Sequence, residues 1–404
     1  MPSLARAFPA LRHRNFKLFI TGQFLSLCGT WMQTIAQGWL VLQLTNSAFQ
    51  VGLVSMLGSL PILTFTLYGG VLADRVNRRR AIFFLQGLML LEALTLAVLT
   101  RTGVATVHWV MALALFLGTL TAFEVPIRQS FMIDMVGRAD LMNAIALNSS
   151  AFNVSRIIGP AIAGALIAAV GIAACFFANA VSYLAVLASL FLMDPSAIVA
   201  PNRRTGRRNS FKEGVRYALG LPRPRALLLL TATFSVFGFS FLTMLPVLAR
   251  HELGTGAAGY GGLMSAVGIG AGAGALGMAA FGKRLPRGRL IRWGGLLFGG
   301  SLLAIASVKV YWLAGLFLGA AGCAMILTNV MTNTLLQTEV PDHLRGRVMG
   351  FYSWTVLGMA PLGSFQAGWV SEHFGVRASL VVGGVVSLIA TAAATYRLPV
   401  RRLS

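Results

Sequence analysis

Twelve apolar stretches alternate with short polar runs along the chain, at about 16–44, 49–72, 80–101, 107–130, 143–170, 172–193, 226–250, 256–282, 289–309, 311–337, 346–371 and 375–397. Each reaches the ~20 residues that an α-helix needs to cross a hydrocarbon core about 30 Å thick. The pattern predicts twelve transmembrane helices and no strands. The clearest break lies at 194–225, where Asp194-Pro195, Arg203-Arg204, Arg207-Arg208 and a short amphipathic candidate from Phe211 to Leu219 replace the apolar run. It divides the spans six and six. The expected organisation is a first bundle at 1–193, a basic linker at 194–225 and a second bundle at 226–404.

The two halves are weakly alike. Gly52-Leu53-x-Ser55-x-x-Gly58 in span 2 matches Gly262-Leu263-x-Ser265-x-x-Gly268 in span 8. Asp134 after span 4 matches Glu339 after span 10, and Gly159, Gly164 and Gly171 match Gly363, Gly368 and Gly375. All these offsets lie between 204 and 210 residues. Near-constant spacing supports two six-helix repeats, an arrangement common in secondary transporters.

Composition agrees with a bilayer as solvent. Of 404 residues 56% are hydrophobic and 11% charged, against about 25% charged in a soluble domain. The net charge of +22 does not indicate nucleic acid, because the cations sit in short runs between spans and not on one face. Their distribution sets the topology. With both termini inside, 28 of the 33 Lys and Arg residues fall in cytoplasmic segments and four (Arg101, Arg250, Lys309, Arg377) on the other side, leaving Arg156 within a span. Such a bias is the positive-inside pattern, and a multi-pass protein of the inner cell membrane with cytoplasmic termini is expected. The first span runs far past a 7–15-residue signal core, so no cleavable signal peptide is expected. Cys28, Cys175 and Cys323 lie far apart in apolar spans, which argues against a disulfide framework or a zinc cluster.

Enzyme-like motifs in span 8 fail on context. Gly272-x-Gly274-x-x-Gly277 and Gly277-x4-Gly282-Lys283 follow no strand, and phosphate-binding loops require one. His13, His108, His251, His343 and His373 all sit at span ends. Neither a metal, a cofactor nor an enzymatic activity is expected.

Between spans 2 and 3 stands Gly70-x-x-x-Asp74-Arg75, followed by Arg78-Arg79-Arg80. This resembles the loop signature of the major facilitator superfamily. The resemblance implies an all-α membrane fold of twelve helices in two pseudo-symmetric bundles, working by alternating access. In that superfamily the loop contacts the other half in the outward-open state. Carried over, Gly70, Asp74 and Arg75 form a conformational latch, with Asp134 as an ionic partner for Arg75 or Arg79. The plainer alternative is that these arginines only anchor topology. The counterpart loop reads Gly282-Lys283-Arg284 and lacks the acid. Gly159-Pro160-x-x-x-Gly164 in span 5 resembles the kinked-helix motif of superfamily antiporters. The wider run Pro126-Ile-Arg128-Gln129, Asn143-Ala144, Asn148 and Arg156-x-x-Gly159-Pro160 is similar to the subgroup containing the bacterial enterobactin exporter and macrolide-efflux proteins. Span 1 lacks the usual acid–arginine pairs, and span 4 lacks the buried arginine of the proton-antiporter motif.

Of eleven acids, only Glu92 and Glu124 fall inside spans. An intramembrane carboxylate is costly and is a functional hypothesis by default. If span 5 enters the membrane near residue 150, Arg156 lies about six residues, or ~9 Å, inside the cytoplasmic boundary, near the depth of Glu124. An ion pair between Glu124 and Arg156 is expected, either as glue between helices or as a proton-sensitive switch. In span 1, Gln23, Ser26, Thr30, Gln33 and Gln37 recur at spacings of 3, 4, 3 and 4 and share a helix face. They line the substrate path or bond to neighbouring helices. Asn329, Thr332, Asn333 and Gln337 of span 10, with Phe234, Phe237, Phe241 and Thr243 of span 7, would complete a neutral, polar and aromatic wall.

The resulting expectation is a monomeric, proton-coupled exporter of a small amphipathic organic molecule. Uptake or facilitated diffusion by the same fold, and a non-transporting membrane scaffold or receptor, are the alternatives.

Overall fold

A computed structural model describes residues 8–198, 211–281 and 286–397. Every regular element among them is helical. In chain order the helices are α1 (Arg14–Thr45), α2 (Ala48–Ala73), α3 (Arg78–Arg101), α4 (Val107–Val136), α5 (Leu141–Val170), α6 (Ile172–Phe191), α7 (Phe211–Gly220), α8 (Pro222–Glu252), α9 (Ala257–Phe281), α10 (Arg287–Ser307), α11 (Tyr311–Glu339), α12 (Asp342–Gly358), α13 (Ala360–Phe374) and α14 (Val376–Arg397). The arginine-rich middle of the 194–225 segment and the Lys283-Arg284 loop lie outside the described residues.

Among the described residues ten helices are long and apolar enough to cross a membrane. The remaining two predicted spans fall short for identifiable reasons. α1 has 32 residues, but its glutamines and hydroxyls dilute the apolar run. The eleventh span is broken at Met359 into α12 and α13, of 17 and 15 residues. Pro361 in the first turn of α13 has no N–H to continue the ladder. Laid end to end, the two pieces make the twelfth crossing. α8 begins at Pro222, four residues before the predicted start, because proline is well placed in a first helical turn. α8 is also interrupted by π-turns at Phe234–Gly238 and Leu248–Glu252.

Local chemistry sets the helix ends. Ser47, Asn77 and Thr106 cap α2, α3 and α4 by accepting from the backbone N–H of Gln50, Arg80 and Trp109. Gly171 and Gly375 close α5 and α13 with φ of 104° and 85°, values that only glycine adopts without strain. These two glycines are equivalent in the internal repeat, so the repeat extends to backbone conformation. It extends to packing as well. A Cβ on Gly159 would strike Trp31 and Cys28 of α1, and one on the equivalent Gly363 would strike Ser235 and Val236 of α8. A Cβ on Gly164 would strike Ala257 and Ala258 of α9, and one on Gly368 would strike Gly52 and Ala48 of α2. Between helices already in an apolar solvent, such close backbone approach supplies the packing. Outward faces carry Phe84, Leu91, Phe177, Leu184, Leu276 and Ile389, all exposed. Apolar surface on that scale needs lipid to cover it.

The bundle has an end bearing Asp74 and an opposite, far end. Helices α1–α6 are bonded to α8–α14 at the far end. There Glu372 accepts from the Ser47 hydroxyl and the Phe49 N–H, both at 3.0 Å. Arg250 donates to the Leu42 carbonyl at 3.1 Å, and His251 lies 3.1 Å from the Asn46 side-chain oxygen.

Candidate functional site

A cavity of about 540 Å³ lies between the two sets of helices, from mid-helix toward the far end. Trp31, Thr34, Gln37 and Gly38 of α1 face it, as do Ser55 and Ser59 of α2 and Thr121 of α4. Across from them stand Thr243 and Pro246 of α8, Tyr260 and Met264 of α9 and Ser364 of α13. Thr243 and Ser364 are bonded to each other at 3.1 Å. No charged side chain lines this cavity. A space of this size, apolar with a few hydroxyls and amides, suits a small organic molecule.

Only part of the predicted α1 face reaches that cavity. Gln37 lines it, while Gln23, Ser26 and Gln33 are buried against protein. A 3-4-3-4 spacing has a period of 3.5, and a straight helix drifts ~20° per heptad from it. Over two heptads the face turns by roughly 40°, so its two ends meet different neighbours. Thr30 donates back to the Ser26 carbonyl at 2.9 Å. Gln33 serves a different purpose. Its side-chain amide donates to both oxygens of Glu92, at 3.2 and 3.0 Å, and accepts from Asn179 at 2.7 Å. Ser182 in turn donates to Asn179 at 3.0 Å. Glu92 is 2% exposed and forms no ion pair among the described residues.

On α8 and α11 the predicted wall also divides. Phe234 and Phe241 pack on Phe298 as core, and Phe237 is half-buried in the π-turn without reaching the cavity. Asn329 accepts the Tyr352 hydroxyl through its carbonyl at 3.2 Å, and Asn333 accepts from Gln337 at 2.6 Å. Both asparagines belong to the Asp74 side of α11, away from the 540 Å³ space.

The expected Glu124–Arg156 pair does not form. Glu124 is held by Arg128, one turn along α4, at 2.8 Å, and by Gln86 at 3.3 Å. Arg128 continues to Asn148 of α5 at 3.4 Å. Arg156 sits at mid-helix and meets other neighbours. It is the 16th of 30 residues in α5. Its guanidinium stands 5.8 Å from the Trp31 ring centroid and 4.0 Å from the Met325 sulfur. Pro160, Gly159 and Gly164 lie on the same helix and pack against α1 and α9.

The Asp74 loop is built differently from its predicted pairing. Asp134, buried, pairs with Arg78 at 2.7 Å and not with Arg75 or Arg79. Arg79 caps the end of α6, donating twice to the Leu190 carbonyl at 2.9 and 2.6 Å. The Asp74 side chain is 74% exposed and 3.5 Å from Arg78. A Cβ on Gly70 would meet nothing within 4 Å. Gly70, Asp74 and Arg75 are therefore exposed among the described residues.

A family model described as transmembrane secretion effector matches residues 5–404. The chain belongs to that family, within the major facilitator superfamily. It is a transporter and not an enzyme. Among curated relatives, a staphyloferrin A transporter of Staphylococcus aureus is 26% identical over 93% of this chain and 94% of its own length. A multidrug efflux pump Tap of Mycolicibacterium fortuitum is 26% identical over 93% of each chain. An enterobactin exporter EntS of Shigella boydii is 27% identical over 88% of this chain and 86% of its own. The fold matches a bacterial homolog of the human lysosomal transporter Spinster, in an inward-facing and unoccupied conformation. That match has a TM-score of 0.78 and 16% identity, covering 97% of this chain and 98% of the other. The POT family transporter PepTSo matches at a TM-score of 0.78 and 13% identity, over 96% of this chain and 98% of the other.

Several residues of the transporter's interior escaped sequence reasoning. Trp31, Thr34, Tyr260 and Met264 line the cavity, yet each is an ordinary residue for an apolar helix. Asn179 and Gln86, which bond Gln33 and Glu124, were legible in principle as amides within apolar spans. Arg128 was read as a cytoplasmic anchor because it lies near the end of span 4. Extension of α4 to Val136 brings it inside.

Proposed function

We propose that this transporter exports a small amphipathic organic molecule across the inner membrane, driven by protons, as a monomer of two rocking halves. The halves are residues 1–193 and 226–404, joined by the cytoplasmic basic linker 194–225. The carrying observation is the uncharged 540 Å³ cavity between the two sets of helices, with a buried carboxylate, Glu92, set behind its wall. Relatives named for staphyloferrin A, multidrug efflux and enterobactin export support an organic cargo and the outward direction. The 28-to-4 distribution of basic residues supports cytoplasmic termini and hence a cytoplasmic Asp74 face.

On this reading the conformation described is closed outside and open inward. The far-end contacts of Glu372, Arg250 and Gly52 form the external seal. Asp74, Arg75 and Gly70 wait for a partner surface that arrives when the cytoplasmic side closes. Glu92 is the preferred proton carrier, because Glu124 is already neutralised by Arg128. Protonating Glu92 would remove its need for the Gln33 amide and free α1 to move.

Reconstitution into proteoliposomes with a defined pH gradient tests the proposal. Uptake of substrates from a panel of siderophores and macrolides should depend on the gradient in wild type. It should lose that dependence in Glu92→Gln and keep it in Glu124→Gln. If no panel member moves itself or protons, export is wrong. If transport persists with coupling intact in Glu92→Gln, the proton assignment is wrong.

A further inference from the structure

Arg156 is a cation without a counter-ion. It is 8% exposed, and among the described residues no carboxylate pairs with it. Its neighbours are a ring, Trp31, and a thioether, Met325. A thioether is a weak acceptor and cannot satisfy a five-donor guanidinium. The position is also as deep as the fold allows. Arg156 is the 16th of 30 residues in α5, Met325 the 15th of 29 in α11 and Trp31 the 18th of 32 in α1. All three sit near mid-helix, about 20 Å from either end at 1.5 Å per residue. A guanidinium at that depth is expensive, and such residues face a cavity or a partner. Here the ring it approaches is itself a wall of the central cavity.

Geometry narrows what the missing partner is. The guanidinium lies between α1 and α5 of one half and α11 of the other, behind the Trp31 wall of the cavity. A planar fork of N–H donors matches a bidentate oxyanion better than a spherical halide. Trp31, tilted 59° against Phe152 at a centroid distance of 5.9 Å, offers an aromatic face beside the charge. We infer that Arg156, with Trp31 beside it, is the anchor for a carboxylate or similar bidentate oxyanion on the transported molecule, next to an aromatic or apolar body. This rests on the transport reading above and adds that the preferred cargo is anionic. It also accounts for a cavity wall that carries no acid.

Thermal unfolding of the purified, detergent-solubilised protein with sodium benzoate or benzamide, at matched sodium and ionic strength, tests the site. Benzoate should stabilise wild type with an apparent affinity at least about tenfold better than benzamide, the factor expected from a charge-assisted bidentate bond. Arg156→Gln should abolish the preference and Arg156→Lys should retain part of it. Met325→Glu supplies an internal carboxylate at the guanidinium, so it should raise the unfolding midpoint and remove the benzoate preference. This variant decides the matter if Arg156→Gln does not fold. Equal response of wild type to benzoate and benzamide overturns the inference, as does an unchanged preference in Met325→Glu or in folded Arg156→Gln. The two readings fail separately. Transport of neutral drugs with no benzoate preference removes the anion site alone. A benzoate preference with no transported substrate in proteoliposomes removes the exporter reading alone.

Discussion

Gly52→Ala should push the transporter out of the conformation described here. A Cβ at Gly52 would stand 2.5 Å from the Ser364 carbonyl oxygen and 2.8 Å from the Gly368 Cα. Both atoms are backbone of α13, so no side chain can rotate away. Restoring ordinary contact at about 3.4 Å requires α2 and α13 to part by roughly 0.9 Å along that line. Overpacking of this kind costs about 1–3 kcal/mol. The cost falls on the state in which the far ends of the two halves touch. At ~2 kcal/mol the equilibrium moves about 30-fold toward the far-side-open state, since 1.4 kcal/mol is tenfold.

A single cysteine in place of Thr34, which lines the cavity, reads this out. Cys28, Cys175 and Cys323 are first replaced, and a membrane-impermeant maleimide is added from either side in oriented vesicles. The ratio of far-side to Asp74-side labelling should rise about 30-fold in Gly52→Ala. Gly300→Ala is the control, because its Cβ meets nothing within 4 Å and it stands exposed on α10, and its ratio should stay within about twofold. Labelling of a folded Gly52→Ala protein that matches wild type would refute the reasoning. So would an equal shift in Gly300→Ala, since the effect would then not come from the α2–α13 contact.

Three further outcomes follow from the ion pairs and the seal. Asp134→Asn strands Arg78, which is 11% exposed and 2.7 Å from the lost carboxylate; it should cost about 3 kcal/mol of stability, read as a lower unfolding midpoint. Asp74→Asn removes an acid that is 74% exposed; it should cost under ~1 kcal/mol yet slow transport if the proposed latch closes in the other state. Glu372→Gln weakens two 3.0 Å bonds at the far end and should shift the labelling ratio in the same direction as Gly52→Ala by a smaller factor, about fivefold for ~1 kcal/mol.

The membrane fold was legible because the bilayer imposes one rule everywhere: long apolar runs, with cations held at their ends. The glycine repeats were legible for a similar reason, since each marks a backbone approach repeated in both halves. Pairings inside the bundle were less so. Arg78 and Arg79 are adjacent in sequence, yet one reaches Asp134 of α4 and the other the end of α6. Successive helix positions point about 100° apart, and only the packed neighbours decide which acid each can meet. Glu124 and Arg156 were matched by depth, but depth was measured from span ends that the structure extends by several residues. In the structure Glu124 lies 12 residues before the end of α4 and Arg156 15 residues after the start of α5, so depth alone does not separate them, and Arg156 meets Trp31 and Met325 instead. Arg128 is then left as the nearer cation for Glu124.

Symmetry in the fold makes its charge asymmetry meaningful. Every buried charged or amide side chain among the described residues lies on α1 or between α1 and α6: Asn15, Gln23, Gln33, Gln86, Glu92, Glu124, Asp134, Arg156 and Asn179. From α8 onward the buried polar side chains are serines and threonines alone. Intramembrane charge is costly, so each charged group needs a reason. Glu124 and Asp134 have one in Arg128 and Arg78. Glu92 and Arg156 have none in the resting contacts, and both touch α1, through Gln33 and Trp31. Two residues apart on a helix, these side chains point to nearly opposite sides. If loss of the Gln33–Glu92 bonds tilts α1, Trp31 and Arg156 move relative to one another. Coupling through such a shared element is reciprocal and is typically 5–150-fold in affinity. Gln33→Leu cuts the link while leaving Arg156 and Trp31 in place. It should preserve benzoate preference over benzamide, abolish the pH dependence of benzoate affinity expected of wild type, and uncouple transport from the pH gradient. If affinity in Gln33→Leu still follows pH as in wild type, α1 is not the element that joins proton to cargo.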